Sequence, residues 1–201
     1  MTKTVDYYIA PQSPFVYLGH ERFMKILAET GARARLMPVD LGGKIFPASG
    51  GLPLPKRAPQ RQAYRLLELR RFSAWLGLPM HIEPKFFPVA GDDAARLLIA
   101  VDRSDGIEAA LKLLGAIARA VWAEQCNIAD PAVLGELLHA QGLPPERLAA
   151  LKDPQMQQAY EDFTRQALDA GVFGAPSFVI DGELFWGQDR LDFVARKLAA
   201  G

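Results

Sequence analysis

The chain has 201 residues, half of them apolar, and its 23 Lys and Arg side chains are balanced by 23 Asp and Glu side chains. This length suits one domain with a substantial core, or one domain that carries a large insertion. A chain with balanced charge and no long basic run lacks the electrostatic surface that binds nucleic acid. We therefore expect no nucleic acid partner.

The N-terminal segment contains Asp6 and Pro11, which interrupt any apolar run, and no other stretch suits a membrane span. We expect a cytoplasmic protein with no membrane partner. The single cysteine, Cys126, excludes an internal disulfide and a dithiol redox pair. Any thiol chemistry must therefore use a sulfur atom from another molecule.

The N-terminal part of the chain predicts a β-α-β unit. Residues 4–10 are rich in β-formers and predict a short buried strand. Ser13 suits the N-cap and Pro14 the first position of a helix that ends at Gly31. Residues 33–39 predict the second strand, so a strand, a helix and a strand follow in direct succession.

The C-terminal part returns to strands after a long helical stretch. Residues 40–58 are rich in Gly and Pro and predict a long irregular loop, and the pattern from about residue 60 to residue 171 is helical. Two short strands then flank the turn at Asp181-Gly182, and a last helix begins near Asp189.

These elements predict an α/β fold that a large helical block interrupts. We assign residues 1–58 and 172–201 to the α/β domain and residues 59–171 to a helical insertion domain with a core of its own. Within that insertion, Trp75 and Trp122 are predicted core anchors.

Ser13 lies where the first strand turns into the first helix. The first turn of a helix leaves N–H groups unpaired and carries a partial positive charge, which stabilises an anion such as a thiolate. A serine hydroxyl adds one charge-assisted hydrogen bond. The alternative is that Ser13 is only the helix cap, a position that serine favours.

Pro176 directly precedes the first C-terminal strand, in the sequence Gly174-Ala175-Pro176-Ser177. A proline with an ordinary trans bond suits the first residue of a strand. A cis bond would instead leave the backbone of Ala175 free to pair with an extended peptide.

The segment from Trp186 to Arg190 joins the last strand to the last helix. Asp189, with Asp192 three residues later, suits an N-cap followed by an acidic first turn. Alternatively, the Asp189 carboxylate receives an α-ammonium group while Arg190 binds the neighbouring α-carboxylate, which together recognise an amino-acid zwitterion.

Three parts of the sequence together resemble a known family: the run VDYYIAPQSPFVYLG, the run GVFGAPSFVIDGELFWGQDRLDFV, and the helical block between them. They are similar to the 2-hydroxychromene-2-carboxylate isomerases and their relatives, the kappa-class glutathione transferases. The resemblance spans essentially the whole chain. It implies a thioredoxin-like domain with a helical insertion, related to bacterial disulfide oxidases, and a homodimer.

The resemblance also implies glutathione as the cofactor. It assigns Ser13 as the catalytic residue that binds the glutathione sulfur, and it implies a cis bond before Pro176, with the Ala175 backbone pairing with the cysteinyl part. The residues that correspond to the γ-glutamyl site are Trp186, Gly187, Gln188 and Asp189, and Arg190 beside them is a further candidate cofactor-binding residue.

The family pattern weakens where the isomerases bind their aromatic substrate. The loop segment from Leu52 to Lys56 has no asparagine, and Ala90 stands where another asparagine is expected. The remaining candidates for contacts with an anionic, electrophilic substrate are Lys44, Pro55, Lys56, Arg61, Tyr64, Lys85 and Phe86. No spacing of the three histidines suits a metal, so we predict no metal site.

The expected activity is a glutathione-dependent isomerisation. The thiolate adds to an electron-poor carbon of a conjugated aromatic carboxylate, which makes a double bond rotatable, and then leaves again. Two alternatives stay open: a kappa-like transferase or peroxidase that uses the same thiolate, and a non-catalytic domain that binds glutathione or thiol peptides. A dithiol oxidoreductase is excluded because the chain has one cysteine.

Overall fold

The computed structural model describes residues 2–200. Its first part is the predicted β-α-β unit, formed by β1 (Thr4–Ile9), α1 (Pro14–Thr30) and β2 (Arg33–Pro38). β1 and β2 are parallel neighbours. Gly31 ends α1 with a φ of 66°, a left-handed conformation that favours glycine. The β-α-β prediction is therefore confirmed.

The C-terminal part completes a four-stranded sheet. β3 (Ser177–Ile180) and β4 (Glu183–Trp186) form a hairpin, and α8 (Leu191–Ala199) follows them. The strand order is β2-β1-β3-β4, and β3 is antiparallel to both of its neighbours. The carboxyl end of β1 and the amino end of β3 therefore lie at the same edge of the sheet.

The segment before the long helices is more regular than the sequence predicted. Residues 40–58 contain a π-helical turn (Leu41–Ile45), the short helix α2 (Phe46–Ser49) and a 3-10 turn (Leu54–Lys56). The expected irregular loop is wrong because local hydrogen bonds organise this segment. The Asp40 carboxylate, for example, accepts a hydrogen bond from a main-chain N–H of the π-helical turn at 2.7 Å.

The predicted helical stretch follows as separate helices. These are α3 (Pro59–Leu76), α4 (Asp92–Asp105), α5 (Ile107–Trp122), α6 (Pro131–Ala140), a 3-10 segment (Pro145–Lys152) and α7 (Pro154–Asp169). The longest connection between them, residues 77–91, joins α3 to α4. Among residues 2–200, no helix is both long and apolar enough to cross a membrane.

One apolar core serves both the sheet and the helical block. Val5 and Ile9 of β1, Phe23 of α1, and Leu113 and Trp122 of α5 are fully buried in one contiguous cluster. The sheet alone has too little area to bury, so α4 and α5 cover it. The helices therefore help to fix the sheet that positions the candidate site.

The helical block has only a small additional cluster of its own. Ala95 and Ile99 of α4 pack against Met156, Ala159 and Tyr160 of α7. This cluster is the part of the helical block that has a core of its own. Most buried residues of α4 and α5 belong instead to the core that the block shares with the sheet. The domain boundaries given above stay a prediction.

α3 is the most exposed of the long helices, with Leu69 as its one fully buried residue. Trp75, at its end, is 69% exposed, so the prediction that it anchors the core is wrong. The Arg22 guanidinium covers its ring at 5.4 Å and so stabilises it at the surface. Trp122 is fully buried, as predicted.

His20 is a polar side chain inside the core, only 5% exposed. Its Nε2 lies 2.9 Å from the carbonyl oxygen of Leu111, which can only accept, so Nε2 carries the proton. Nδ1 then accepts from the Tyr7 hydroxyl at 3.4 Å. Burial disfavours the imidazolium ion and lowers the pKa of His20 to about 4.

We predict that acidification destabilises the fold through His20. The unfolded chain binds a proton on this residue near pH 6.5, whereas the folded chain does so only near pH 4. Stability is therefore complete above about pH 6.5, and about 3 kcal/mol is lost as the pH falls to about 4. Urea unfolding across this range measures the effect.

His20→Gln keeps one donor and one acceptor and should flatten this pH dependence, although it lowers stability at neutral pH. His139→Gln is the matched control, because His139 is exposed on α6 and should leave the pH dependence as in the wild type. An unchanged pH dependence in His20→Gln contradicts the assignment.

Candidate functional site

The N-terminus of α1 meets the loop that leads into β3. Tyr8 pairs with Ser177 across the antiparallel strands, so the residues after β1 and before β3 lie side by side. Ser13 and Ala175 come into contact in this way, although 162 positions separate them in the sequence. The sheet thus assembles the two predicted sites at one edge.

Ser13 is the N-cap of α1 and is 7% exposed. Its hydroxyl oxygen accepts from the N–H of Val16 at 3.4 Å, and its hydroxyl donates to the carbonyl oxygen of Ala175 at 3.3 Å. Both distances are long for hydrogen bonds. Nearby, the Ser177 hydroxyl donates to Gly174 at 2.8 Å. The Ser13 hydroxyl is therefore weakly committed and can turn to a ligand at little cost.

The Ala175–Pro176 peptide bond is cis, as the family resemblance implied. The carbonyl oxygen of Pro176 accepts a hydrogen bond from Gly187 at 2.9 Å, which ties this loop to the end of β4. Within residues 2–200 the N–H of Ala175 has no hydrogen-bond partner. The backbone beside Ser13 can therefore pair with an extended ligand.

Two aromatic rings form an exposed wall at the end of β4. Trp186 is 51% exposed and Phe173 is 41% exposed, and their ring centroids lie 4.7 Å apart. The Trp186 indole packs directly on Gly174, where a Cβ atom would clash with it. A glycine at this position therefore allows the indole to lie close to the loop before Ala175.

Asp189 and Arg190 follow this wall and lie on the surface, with their side chains paired at 2.8 Å. The N-cap alternative for Asp189 is wrong: Asp189 lies in a 3-10 turn (Gln188–Arg190), and α8 begins after it. The 3-10 turn leads directly into α8, and no side chain caps the N-terminus of that helix. Because this ion pair is exposed, it contributes little stability, so both charges can exchange partners with a ligand at small cost.

Gln188 differs from its neighbours because it is buried, with 2% exposure. Its carbonyl oxygen and its side-chain oxygen accept from the Arg22 guanidinium at 3.2 and 3.1 Å. Gly19 of α1 packs against its Cβ atom. The Gln188 side chain therefore fastens this corner to α1, and a ligand contact from this residue must come from its backbone.

The residues predicted to contact the substrate all lie on the surface. Tyr64 is 56% exposed and Phe86 is 37% exposed, and the Lys85 ammonium lies 5.0 Å from the Phe86 ring. The other predicted substrate contacts, also exposed, are Lys44, Pro55, Lys56 and Arg61. None of these side chains makes a hydrogen bond to the Ser13 region within residues 2–200.

One arginine that the sequence analysis did not single out lies close to this region. The guanidinium carbon of Arg65 lies 5.2 Å from the Phe87 ring and 5.7 Å from the Trp122 ring. The Trp122 indole N–H donates at 3.1 Å to the carbonyl oxygen of Gln12, just before the cap of α1. A signal existed: Arg65 precedes buried Leu69 by one turn, so an arginine occupies the inner face of α3.

Two surface cavities lie elsewhere. One of about 420 Å³ borders α4 and α7 beside Arg147, whose guanidinium is already paired with Asp105 at 2.8 and 3.0 Å. The other, of about 250 Å³, lies beside Tyr17 and Lys112. Neither contains a residue of the predicted glutathione or substrate sites, so the chemistry predicted from the sequence is not located in them.

The chain is similar to known proteins over nearly its whole length. A model of the DSBA-like thioredoxin domain matches residues 4–199. The 2-hydroxychromene-2-carboxylate isomerase of Sphingobium xenophagum is 28% identical over 195 residues, which cover 96% of this chain and 97% of that protein.

Solved structures share the fold. The structure of a 2-hydroxychromene-2-carboxylate isomerase has a TM-score of 0.78 at 24% identity, with 96% of this chain and 93% of that chain covered. Cytosolic disulfide reductase DsbM from Pseudomonas aeruginosa, in a structure with GSH, has a TM-score of 0.66 at 21% identity, with 98% and 93% covered.

These similarities confirm the thioredoxin-like α/β fold and the resemblance to the isomerases that the sequence predicted. The named isomerases also support an enzymatic function of the isomerase class. Because the family model spans nearly the whole chain, this protein belongs to the family of DSBA-like thioredoxin domains.

Proposed function

We propose that this protein is a glutathione-dependent isomerase of conjugated aromatic carboxylates. The observation that carries the proposal is the weakly committed hydroxyl of Ser13 at a helix N-terminus, beside the N–H of Ala175, which is unpaired in the described part of the chain. The isomerases that are similar over nearly the whole chain support the reaction class. We expect the thiolate to come from glutathione and not from Cys126, because burial raises the pKa of the Cys126 thiol.

The groups around Ser13 fit a γ-glutamyl tripeptide. The Ala175 N–H offers a backbone partner to its cysteinyl unit, and the exposed Trp186 ring offers an apolar surface along the chain. Asp189 and Arg190 present opposite charges that match the α-ammonium and α-carboxylate of the γ-glutamyl end. Glutathione, when bound, supplies the thiolate nucleophile that the chain itself lacks.

Ser13 acts by stabilising negative charge on the sulfur. Its hydroxyl can exchange the long contact with Ala175 for a short, charge-assisted bond to a thiolate. The first turn of α1 adds the favourable field of a helix N-terminus, so the thiol ionises at lower pH. The protein thereby holds a reactive nucleophile near neutral pH.

We predict that Ser13→Ala raises the thiol pKa of bound glutathione. Loss of one hydrogen bond to a charged group costs about 1.5–3 kcal/mol, which corresponds to about one to two pKa units. Ultraviolet absorbance of the thiolate, followed across pH in the complex, measures this shift, and calorimetry measures the affinity.

The matched control is Asp130→Ala, which removes the N-cap of α6, where the carboxylate accepts from Ala132 at 2.9 Å. It should lower stability by about 1 kcal/mol without moving the thiol pKa. Wild-type protein that neither binds glutathione nor ionises it at millimolar concentration would refute the proposed function.

We predict that Asp189→Asn weakens glutathione binding about tenfold, because a neutral amide loses the charge-assisted bond to the α-ammonium group. The probe for this contact is glutaryl-cysteinyl-glycine, which lacks that ammonium group. Wild type and Asp189→Asn should bind it equally in a calorimetric titration.

Asp192→Asn serves as the control, because Asp192 lies on α8 with a side chain that is 86% exposed and 3.7 Å from Arg22. It should bind glutathione like the wild type. An equal loss of affinity for both peptides in Asp189→Asn contradicts recognition of the ammonium group.

We predict that 2-hydroxychromene-2-carboxylate is isomerised while glutathione is recovered unchanged, because the thiolate is regenerated when it leaves. Mass spectrometry of the reaction mixture, together with the absorbance of the substrate, measures both quantities. A stable conjugate or oxidised glutathione would instead identify a transferase or a peroxidase. Tight glutathione binding without turnover would identify a binding domain.

A further inference from the structure

Arg65 carries a polar atom that is shielded from solvent and has no partner. Its Nη2 atom makes no hydrogen bond within residues 2–200, and the same holds for Oε1 of Gln12. Buried polar groups in folded proteins are normally hydrogen-bonded, to protein or to water, so an atom without a protein partner is a candidate contact for a bound group. One of these two atoms is a donor and the other is an acceptor.

Arg65 and Gln12 both contact Trp122. The Arg65 guanidinium lies 5.7 Å from the ring of Trp122, and the indole N–H of Trp122 is bonded to the main chain of Gln12. The Gln12 amide packs on Gly91, where a Cβ atom would clash with it. The two atoms are not bonded to each other, and neither has a protein partner in the part of the chain that the structure describes.

The charge of the Arg65 guanidinium is partly desolvated. Burial lowers its pKa to about 10, the Arg57 charge adds to this effect, and Glu83 opposes it. The guanidinium is therefore charged at neutral pH, yet no carboxylate forms an ion pair with it within residues 2–200. A partly desolvated cation without a counter-ion is a favourable binding group for an anion from solution.

We infer that Arg65 is a substrate-binding residue that holds the carboxylate of the electrophile. This inference rests on the proposed function. In it, Arg65 replaces the exposed lysines and Arg61 as the main contact for the substrate anion. The guanidinium fork matches the two oxygens of a carboxylate. The Arg65 guanidinium lies 5.7 Å from the Trp122 ring, and the Trp122 indole is bonded to the main chain of Gln12, the residue directly before Ser13. Arg65 as a whole is half-buried whereas its Nη2 atom is shielded from solvent, so a carboxylate that binds Nη2 must displace the side chains that cover it.

The test compares the binding of trans-cinnamate and its methyl ester, which share the conjugated ring but differ in charge. Ligand-observed nuclear magnetic resonance titrations, without glutathione, give both affinities for wild type, Arg65→Gln, Arg65→Lys and Arg70→Gln. Arg70 is an exposed residue on the same helix, so its replacement removes the same charge from α3.

Wild type and Arg70→Gln should prefer cinnamate over the ester by about tenfold, and Arg65→Gln should bind both alike, since one charge-assisted contact is removed. Arg65→Lys should retain part of the preference, because it keeps the charge but not the fork. It also tests the inference should Arg65→Gln not fold. A purely structural role for Arg65 leaves this ratio unchanged.

Three results overturn the inference: no preference in the wild type, an unchanged preference in both Arg65 variants, or an equal loss in Arg70→Gln. The glutathione titration of the same variants separates this outcome from the proposed function. Failure of the wild type to bind glutathione refutes the cofactor assignment and leaves the cinnamate ratio as the test of Arg65. Normal glutathione binding with no cinnamate preference refutes Arg65 alone.

Discussion

The candidate site depends on the pairing of β1 along both of its edges. Its parallel partner β2 fixes the crossover that α1 must make, and its antiparallel partner β3 brings the C-terminal loop to the end of β1. Ser13 and Ala175 meet only because both pairings hold. The helical block is part of this constraint, since α5 buries Trp122 beneath Gln12 and so supports the chain just before Ser13.

Much of this arrangement could be predicted from local chemistry. The β-formers of residues 4–9, the cap at Ser13 and the glycine at Gly31 each favour the structure that they adopt, so the β-α-β unit was visible in the sequence. The turn at Asp181-Gly182 fixed the hairpin in the same way, with φ angles of 53° and 79°. Local sequence favours a trans bond before Pro176, so the cis bond could be predicted only from the family resemblance.

The rest depends on contacts between distant segments, which local patterns do not encode. Tryptophan is usually a core residue, yet Trp75 lies at the surface of α3 beside Arg22. A polar side chain in a predicted binding segment is expected to contact the ligand, yet contacts with Arg22 and α1 bury Gln188. Arginine is usually a surface residue, yet the Arg65 guanidinium lies against the rings of Phe87 and Trp122. In each case the tertiary neighbour, not the residue type, decides the environment.

The polar groups that the fold leaves uncommitted are concentrated in one region. Ser177 uses its hydroxyl in a 2.8 Å bond, whereas the Ser13 hydroxyl has only long contacts and the Ala175 N–H has none within residues 2–200. Gln12 and Arg65 add a shielded acceptor and a shielded donor near the same turn. Folding normally satisfies such groups, and leaving them unsatisfied costs stability. In the proposed complex, the sulfur and the cysteinyl backbone of glutathione would complete the hydrogen bonds of Ser13 and Ala175, and a substrate carboxylate would complete that of Arg65.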